Sequence, residues 1–331
     1  MSFTHIGIVG AGGWGTALAL VLGESGVPIT LWGHDPREVA AIAEKRENVI
    51  YLPGVPLPAS FQYTSELASL GTCDLLVLAT PSKATREVSA RLAAGSVRDD
   101  AILLTCTKGV ERGTGLRMSE LVSAAFPRHS VAALSGPSHA EEVARRAPTA
   151  VVIGATDATV AQRLQRVFST PTFRTYTNED VAGVELGGAL KNIFALAAGV
   201  SDGLGLGDNT KAALVTRALA EMTRLGTALG GKRETFQGLS GIGDLIVTCF
   251  SKHSRNRGVG ERLGRGETLR AIEESMRMVA EGVPTTYSAQ ECARTHGIDT
   301  PIIDQMRALL DAEISPQEAL AALLSREPRE E

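Results

Sequence analysis

Up to about residue 180 the chain alternates short apolar runs with stretches of helical periodicity. The runs Ile6–Val9, Ile29–Trp32, Leu75–Ala79, Ile102–Thr105, Val131–Leu134 and Ala150–Ile153 are rich in aliphatic and β-branched side chains, and Phe173–Tyr176 reads as a last strand. Apolar runs without polar alternation suit strands covered on both faces. The intervening helices open on recognisable caps. Asp35-Pro36-Arg37-Glu38 offers a cap residue, a proline at the first helical position and an acid at the third, and Ser138-His139-Ala140-Glu141 reads as a capping box of the same kind. This alternation predicts the α/β class, with an N-terminal Rossmann-type, doubly wound, mostly parallel sheet and right-handed crossovers. Such sheets bind ligands outside the carboxyl ends of their strands. Those ends carry Gly10–Gly15, Gly33-His34-Asp35, Thr80-Pro81-Ser82, Thr107-Lys108-Gly109 and Ser135-Gly136-Pro137-Ser138, expected to line one crevice.

Beyond Asp180 the pattern turns helical. Val184–Val200, Lys211–Leu229, Val259–Leu263, Leu269–Glu273, Tyr287–Thr295, Pro301–Ala312 and Pro316–Leu324 all suit helices, the last opened by the capping box Ser315-Pro316-Gln317-Glu318. The expected organisation is a dinucleotide-binding domain over 1–180 and an all-helical substrate-binding domain over 181–331, with a frayed polar tail from Arg326.

Composition narrows the class. The 331 residues suffice for about two domains, and 44% hydrophobic with 21% charged residues describes a globular protein. The net charge of −4 is spread along the chain, so no field of one sign argues for a nucleic-acid or membrane partner. No apolar run reaches the ~18 residues expected of a membrane span. A strand beginning at Ile6 leaves no room for a signal peptide. Cys73, Cys106, Cys249 and Cys292 lie far apart and read as reduced thiols of a cytoplasmic protein, with no metal site.

Four features carry candidate chemistry. Gly10-Ala11-Gly12-Gly13-Trp14-Gly15 follows the first strand directly and leads into the apolar helix of Ala17, Leu18, Leu20, Val21 and Leu22. Gly10 permits a tight turn, Gly12 lets backbone approach a pyrophosphate, and Gly15 lets helix pack on strand, with the helix N-terminus facing the anion. Lys191 is the only cation among Leu190, Ile193, Phe194, Leu196 and Ala197. An ammonium in so apolar a helix is costly unless paired, and desolvation draws its pKa from about 10.4 toward the range useful for proton transfer. The alternative is a lysine snorkelling from the helix edge or held in a core ion pair. Asp244 stands four residues before Thr248 in a glycine-flanked stretch; if helical, the two share a face and the acid could hold a lysine, or it could serve as a cap. Ser254-Arg255-Asn256-Arg257-Gly258 precedes a helical pattern and reads either as a phosphate receptor or as a solvated basic loop.

The strings GAGGWGTALA, LWGHDP, YLPGVPLP, ATPS, TKGVERGTG, SGPSHAEEV, GVELGGALKNIFALAAGVSDGLGLGDNT, GLSGIGDLIVTC, SRNRGVG and VAEGVPT stand here in one order. In that order the chain resembles the NAD(P)-dependent glycerol-3-phosphate dehydrogenases of bacterial type, from its first strand to about Thr286. The resemblance implies reversible hydride transfer between NAD(P)H and dihydroxyacetone phosphate, giving sn-glycerol 3-phosphate for glycerophospholipid synthesis, in a cytoplasmic homodimer. It places the acid/base lysine on Lys191, its partner on Asp244 and a second substrate lysine on Lys108. Further substrate contacts fall on Gly136, Ser138, Ser254, Arg255 and Asn256, the last two taking the phosphate. Cofactor contacts fall on Gly13, Trp14, His34, Lys108, Ala140, Arg255, Val279 and Glu281, beside the turn glycines Gly10, Gly12 and Gly15. Position 138 is serine where some members carry threonine, and either hydroxyl serves.

The expected mechanism has Lys191, as ammonium, stabilise the carbonyl oxygen of the ketone and give it a proton. Coenzyme choice stays open between NADP and NAD: Asp35 has the spacing of a ribose-binding acid, whereas His34 and Arg37 suit a 2′-phosphate. Two rivals stand beside this reading. One is a similarly built β-hydroxyacid dehydrogenase, a family that usually carries asparagine four residues after its lysine, where this chain has Ala195. The other is a redox sensor that binds dinucleotide without turnover.

Overall fold

The computed structural model describes residues 3–325, so the tail from Arg326 lies outside the described residues. The chain forms two compact units: Met1–Lys108 with Leu116–Glu185, and Gly109–Gly115 with Leu186–Glu331.

The first unit is built on eight strands: β1 (Ile6–Val9), β2 (Ile29–Trp32), β3 (Gln62–Thr64), β4 (Leu75–Leu78), β5 (Ile102–Thr105), β6 (Ser130–Ser135), β7 (Thr149–Gly154) and β8 (Phe173–Asn178). Their order is β3-β2-β1-β4-β5-β6-β7-β8, parallel throughout except between β6 and β7. Helices α1 (Gly13–Gly23), α2 (Pro36–Lys45), α3 (Thr85–Ala93), α4 (Met118–Ala125), α5 (Ala140–Ala144) and α6 (Ala158–Phe168) connect them. Side-chain alternation explains the double winding. Ile6, Ile8, Leu75 and Val77 join one buried cluster with Leu18, Leu22 and Leu164, while Val9, Leu76 and Leu78 join another with Val88, Val122 and Phe126. The predicted strands stand within two residues at each end. The missed β3 is a three-residue edge strand of polar composition, QYT, with no apolar run to betray it.

The connection from β6 to β7 holds only the five-residue α5, too little to carry the chain back for a parallel pairing, so β7 returns antiparallel. β7 and β8 therefore run against the other six. The turns after β1, β2, β4, β5 and β6 share one edge, and the ladder continues into them: Gly10 N donates to Trp32 O (2.9 Å), Ala79 N to Val9 O (2.9 Å) and Cys106 N to Leu78 O (2.8 Å). Asp35 caps α2 as predicted, accepting from Arg37 N at 2.8 Å. The capping box predicted at Ser138 does not form. His139 holds the cap position of α5, and the Ser138 hydroxyl donates instead to Gly136 O (2.9 Å) across the turn that Gly136 makes at φ +136°.

The second unit contains α7 (Val181–Gly203, whose first turn belongs to the first unit), α8 (Gly207–Ala228), α9 (Arg233–Phe236), α10 (Asp244–Phe250), α11 (Arg255–Gly264), α12 (Leu269–Ser275), α13 (Gly282–His296), α14 (Pro301–Leu310) and α15 (Pro316–Leu324). The capping box at Ser315 and Glu318 is complete. Although charged residues interrupt its apolar runs, α7 has the length and composition to cross a membrane, with a window of mean hydropathy 1.3. Its apolar window is 89% buried inside the protein, which makes it a core helix.

Helices α7 and α11 run parallel along a seam of glycines. A Cβ on Gly260 would stand 1.9 Å from Leu196 O, and one on Gly264 would stand 2.5 Å from Val200 O. From the other side, Cβ atoms on Gly199 and Gly203 would meet Arg257 O at 2.0 Å and Glu261 O at 2.3 Å. Partners on both helices advance together by four residues, so backbone lies on backbone over two turns. Asp202 secures the seam, accepting from Lys211 Nζ (2.8 Å) on α8 and Arg257 Nε (2.6 Å) on α11.

Two buried acids cap helices other than their own. Glu185 accepts from Ser119 N (2.8 Å) at the start of α4 and pairs with Arg117 (2.9 Å); burial pushes its carboxyl up, with Arg117 opposing. Glu221 accepts from Ile302 N (3.0 Å) and Ile303 N (2.9 Å) at the start of α14. Burial pushes the Glu221 carboxyl up to about 7, against those two amides and Arg224, with Asp304 adding to the rise. A carboxyl raised in this way favours the fold when protonated; its contribution is whole below the ordinary value of 4.5 and is lost as pH rises through about 7. From pH 4.5 to 8, urea melts should show wild type losing about 2–3 kcal/mol that Glu221→Gln does not lose.

Cys73, Cys106, Cys249 and Cys292 are buried free thiols. Burial pushes Cys73 and Cys249 up to about 12, and it raises Cys106 and Cys292 as well.

Candidate active site

In the first unit the glycine turn joins β1 to α1. Gly10 sits at φ +126°, and Gly15 packs so closely that a Cβ there would lie 1.9 Å from Gly10 O. Gly12 is the N-cap of α1, contributes no capping side chain, and has open space where a Cβ would point. The N-cap residue gives the first amides of α1 no side-chain bond, as at α3, α5 and α8, and here the space beside Gly12 is open. This fits an anion of the coenzyme type. Trp14, second in the helix, has its indole Nε1 buried and unbonded. His34 is exposed just past β2, beside Asp35, whose carboxylate takes both Nε (3.3 Å) and Nη2 (3.0 Å) of Arg37. Ala140 opens α5, 3.8 Å from where a Gly13 Cβ would be. Along the same edge Lys108 Nζ donates to Gly136 O (3.1 Å), the carbonyl that also receives the Ser138 hydroxyl. Lys108, Gly136 and Ser138 therefore form one group.

In the second unit Lys191 lies in the middle of α7 and is 6% exposed. Its Nζ donates to Asp244 Oδ1 at 2.5 Å and to Thr248 Oγ1 at 2.7 Å. Asp244 is 1% exposed and opens α10, directly after a π-turn over Leu239–Gly243. Glycines bring this segment in: a Cβ on Gly187, one turn before Lys191, would stand 2.5 Å from Ser240 O. Thr248, one turn along α10, donates to Asp244 O (2.6 Å), which leaves its oxygen turned to accept from the lysine. The ion pair is thus dry, hydrogen-bonded and fixed by two helices.

The N-terminus of α11 is bonded to Asn192, the residue after Lys191. Asn256 Nδ2 donates to Asn192 Oδ1 (2.9 Å), and Asn256 Oδ1 accepts from Gly282 N (2.8 Å). Ser254 is the N-cap, accepting from Arg257 N (3.2 Å). Arg255 is exposed and reaches Val279 O (3.1 Å), two residues before Glu281, the N-cap of α13. Ser254, Arg255, Asn256, Val279 and Glu281 therefore gather around one helix terminus. Among the described residues no three of His, Cys, Asp and Glu come together as a metal-holding group.

Thr248 and Asn192 join the site without being among the site residues expected from the sequence. Thr248 carried a signal, its spacing of four from Asp244. Asn192 adjoins Lys191 but points about 100° away from it, and its partner is visible only once α7 and α11 are packed.

The chain matches known proteins along nearly its full length. A family model for the N-terminus of NAD-dependent glycerol-3-phosphate dehydrogenase matches residues 5–161, and that for the C-terminus matches residues 180–321. The glycerol-3-phosphate dehydrogenase (NAD(P)+) of Geobacillus kaustophilus is 50% identical over 331 residues, covering 99% of this chain and 96% of its own. That of Chlorobium limicola is 46% identical over 335 residues, covering 99% of both. The crystal structure of glycerol-3-phosphate dehydrogenase from Coxiella burnetii superposes with a TM-score of 0.94 at 38% identity, covering 98% of this chain and 99% of that one. With an uncapped glycine turn in one unit and a buried lysine–aspartate pair in the other, the chain belongs to the NAD-dependent glycerol-3-phosphate dehydrogenase family.

Proposed function

We propose that this protein catalyses reversible reduction of dihydroxyacetone phosphate by NAD(P)H to sn-glycerol 3-phosphate, with Lys191 as acid and base. The observation that carries the reading is the Lys191 amine, buried and bonded to Asp244 and Thr248, while the adjoining Asn192 is bonded to Asn256 at the N-terminus of α11. When bound, the reduced nicotinamide supplies a hydride to the carbonyl carbon. As charge grows on the carbonyl oxygen, the Lys191 ammonium donates a hydrogen bond and then the proton to it. In the reverse direction the neutral amine takes the hydroxyl proton. Asp244 and Thr248 hold the amine in place and favour its charged form. Arg255 and the second Nδ2 hydrogen of Asn256 receive the phosphate, a remote handle that orients the carbonyl. Lys108, with Gly136 and Ser138, adds a second positive contact. The coenzyme contacts are Gly10, Gly12, Gly13, Trp14, Gly15, His34 and Ala140, with Arg255, Val279 and Glu281 from the helical part.

On this reading residues 1–180 bind dinucleotide and 181–331 bind substrate, in a cytoplasmic homodimer that supplies glycerol 3-phosphate to glycerophospholipid synthesis. The test follows consumption of reduced nicotinamide with dihydroxyacetone phosphate and, in parallel, with β-hydroxyacid substrates. Turnover with hydroxyacids alone, or nucleotide binding without turnover of either, would refute it.

Both NAD and NADP suit the end of β2. A carboxylate there recognises the ribose 2′-hydroxyl, and a guanidinium accommodates a 2′-phosphate. Arg37 pairs with Asp35 and pulls its carboxyl down to about 2, so the two charges offset each other. Asp35→Ala frees the guanidinium, and the ratio of kcat/KM for NADPH over NADH should rise about tenfold in initial-rate assays.

A further inference from the structure

The excursion from Arg46 to Ala59, between α2 and β3, closes on itself. Leu57 N donates to Arg46 O (2.8 Å), Gly54 N donates to the Glu47 carboxylate (2.8 Å), and Leu52, Val55 and Leu57 are buried in the core beneath α1. A loop anchored at both ends and in the middle makes a rigid strap. The strap lies against the glycine turn. Asn48, 1% exposed, gives its two Nδ2 hydrogens to Ala11 O (2.9 Å) and Thr16 Oγ1 (2.8 Å), and its Oδ1 accepts from Tyr51 N (3.2 Å). The Tyr51 carbonyl occupies the space beside Gly13, 2.7 Å from where a Cβ would stand. The two central glycines therefore differ in purpose. Gly12 leaves room on the open side, and Gly13 makes room for the strap.

We infer that Asn48 is a positioning residue for coenzyme binding, holding the Ala11–Gly12 peptide so that its N–H faces the pyrophosphate. In a trans peptide the carbonyl of one residue and the N–H of the next point in opposite directions. No cis bonds occur among the described residues, so an Ala11 carbonyl drawn toward the strap turns the Gly12 N–H away from it. The bond to Thr16 pins the first turn of α1, whose own first hydrogen bond runs from Thr16 N to Gly12 O (3.0 Å). The turn is thereby fixed before any ligand arrives, which removes an ordering cost from binding. Asn48 has no reactive role and touches the coenzyme only through this peptide. The inference rests on the reading of the turn as the coenzyme site.

Asn48→Asp keeps the shape and the acceptor to Tyr51 but removes both donors. The dissociation constants of NADPH and of ADP-ribose, which retains the pyrophosphate, should each rise at least about tenfold, while KM for dihydroxyacetone phosphate stays within about twofold. A purely structural role would lower the folded fraction and leave both dissociation constants unchanged. A folded Asn48→Asp chain with smaller rises, or with an equal loss for dihydroxyacetone phosphate, overturns the assignment. Should that variant fail to fold, Thr16→Val decides the matter, because it removes one acceptor isosterically. A rise of about threefold or more in both constants supports the role, and anything less sinks it. A wild-type chain that binds neither ligand overturns the functional reading and this assignment with it.

Discussion

Lys191→Met should lower kcat for dihydroxyacetone phosphate reduction by about four orders of magnitude while leaving the dissociation constant of NADPH within about twofold. A positioned general acid typically contributes about 10²–10⁴-fold, and losing the proton donor together with its charge places this variant at the upper end. The thioether nearly fills the space of the butylammonium stem, so the helix should survive. What it leaves behind is Asp244, a carboxylate in a dry site. Removing one partner of a buried pair costs about 3–5 kcal/mol, relieved here as far as Asp244 takes up a proton. Lys191→Met should therefore regain stability at low pH. Adding Asp244→Leu should restore stability at neutral pH without restoring turnover. Single-turnover rates with thermal melts across pH separate these effects. A Lys191→Met enzyme within about tenfold of wild type would remove the proposed chemistry.

Gly260→Ala should cost about 3 kcal/mol or more, although alanine is the better helix former by about 1 kcal/mol. The added methyl would stand 1.9 Å from the Leu196 carbonyl, a backbone atom that cannot rotate aside. Only separation of α11 from α7 makes room, and that moves Asn256 away from Asn192. In the folded fraction, KM for dihydroxyacetone phosphate should rise much more than the dissociation constant of NADPH. Gly258 supplies the control. It lies in the same helix with open space where its Cβ would be, so Gly258→Ala should be neutral or stabilising by up to about 1 kcal/mol. Equal urea midpoints for the two variants would show that the seam is not tightly packed.

The sheet was legible because six of its eight strands are buried apolar runs that need no partner to be noticed. The helical second half was legible for the same reason, in its 3.6-residue period. Periodicity says little about contacts that depend on an absent side chain. Gly187, Gly199, Gly260 and Gly264 each read locally as a weak helix residue, and their purpose appears only where a facing carbonyl occupies the missing Cβ position. The short α9 and the π-turn before Asp244 fell below any periodic signal. Ser138 shows the opposite error: a sequence fit for a capping box lost to a glycine turn that gave the hydroxyl a nearer carbonyl. At the site, Lys191 stood out as a charge among aliphatic neighbours. Thr248 was signalled only by its spacing from Asp244, and Asn192 and Asn48 are ordinary polar residues whose meaning lies wholly in what packs against them.

The four shielded sulfhydryls have a bearing on life under oxidative stress. Attack on disulfides and peroxides needs the thiolate, and burial, which raises all four and takes Cys73 and Cys249 to about 12, suppresses it at neutral pH. None of the four contributes to the reaction proposed, so peroxide should spare the native enzyme yet damage chains that open transiently. Oxidant sensitivity in this molecule becomes a measure of breathing.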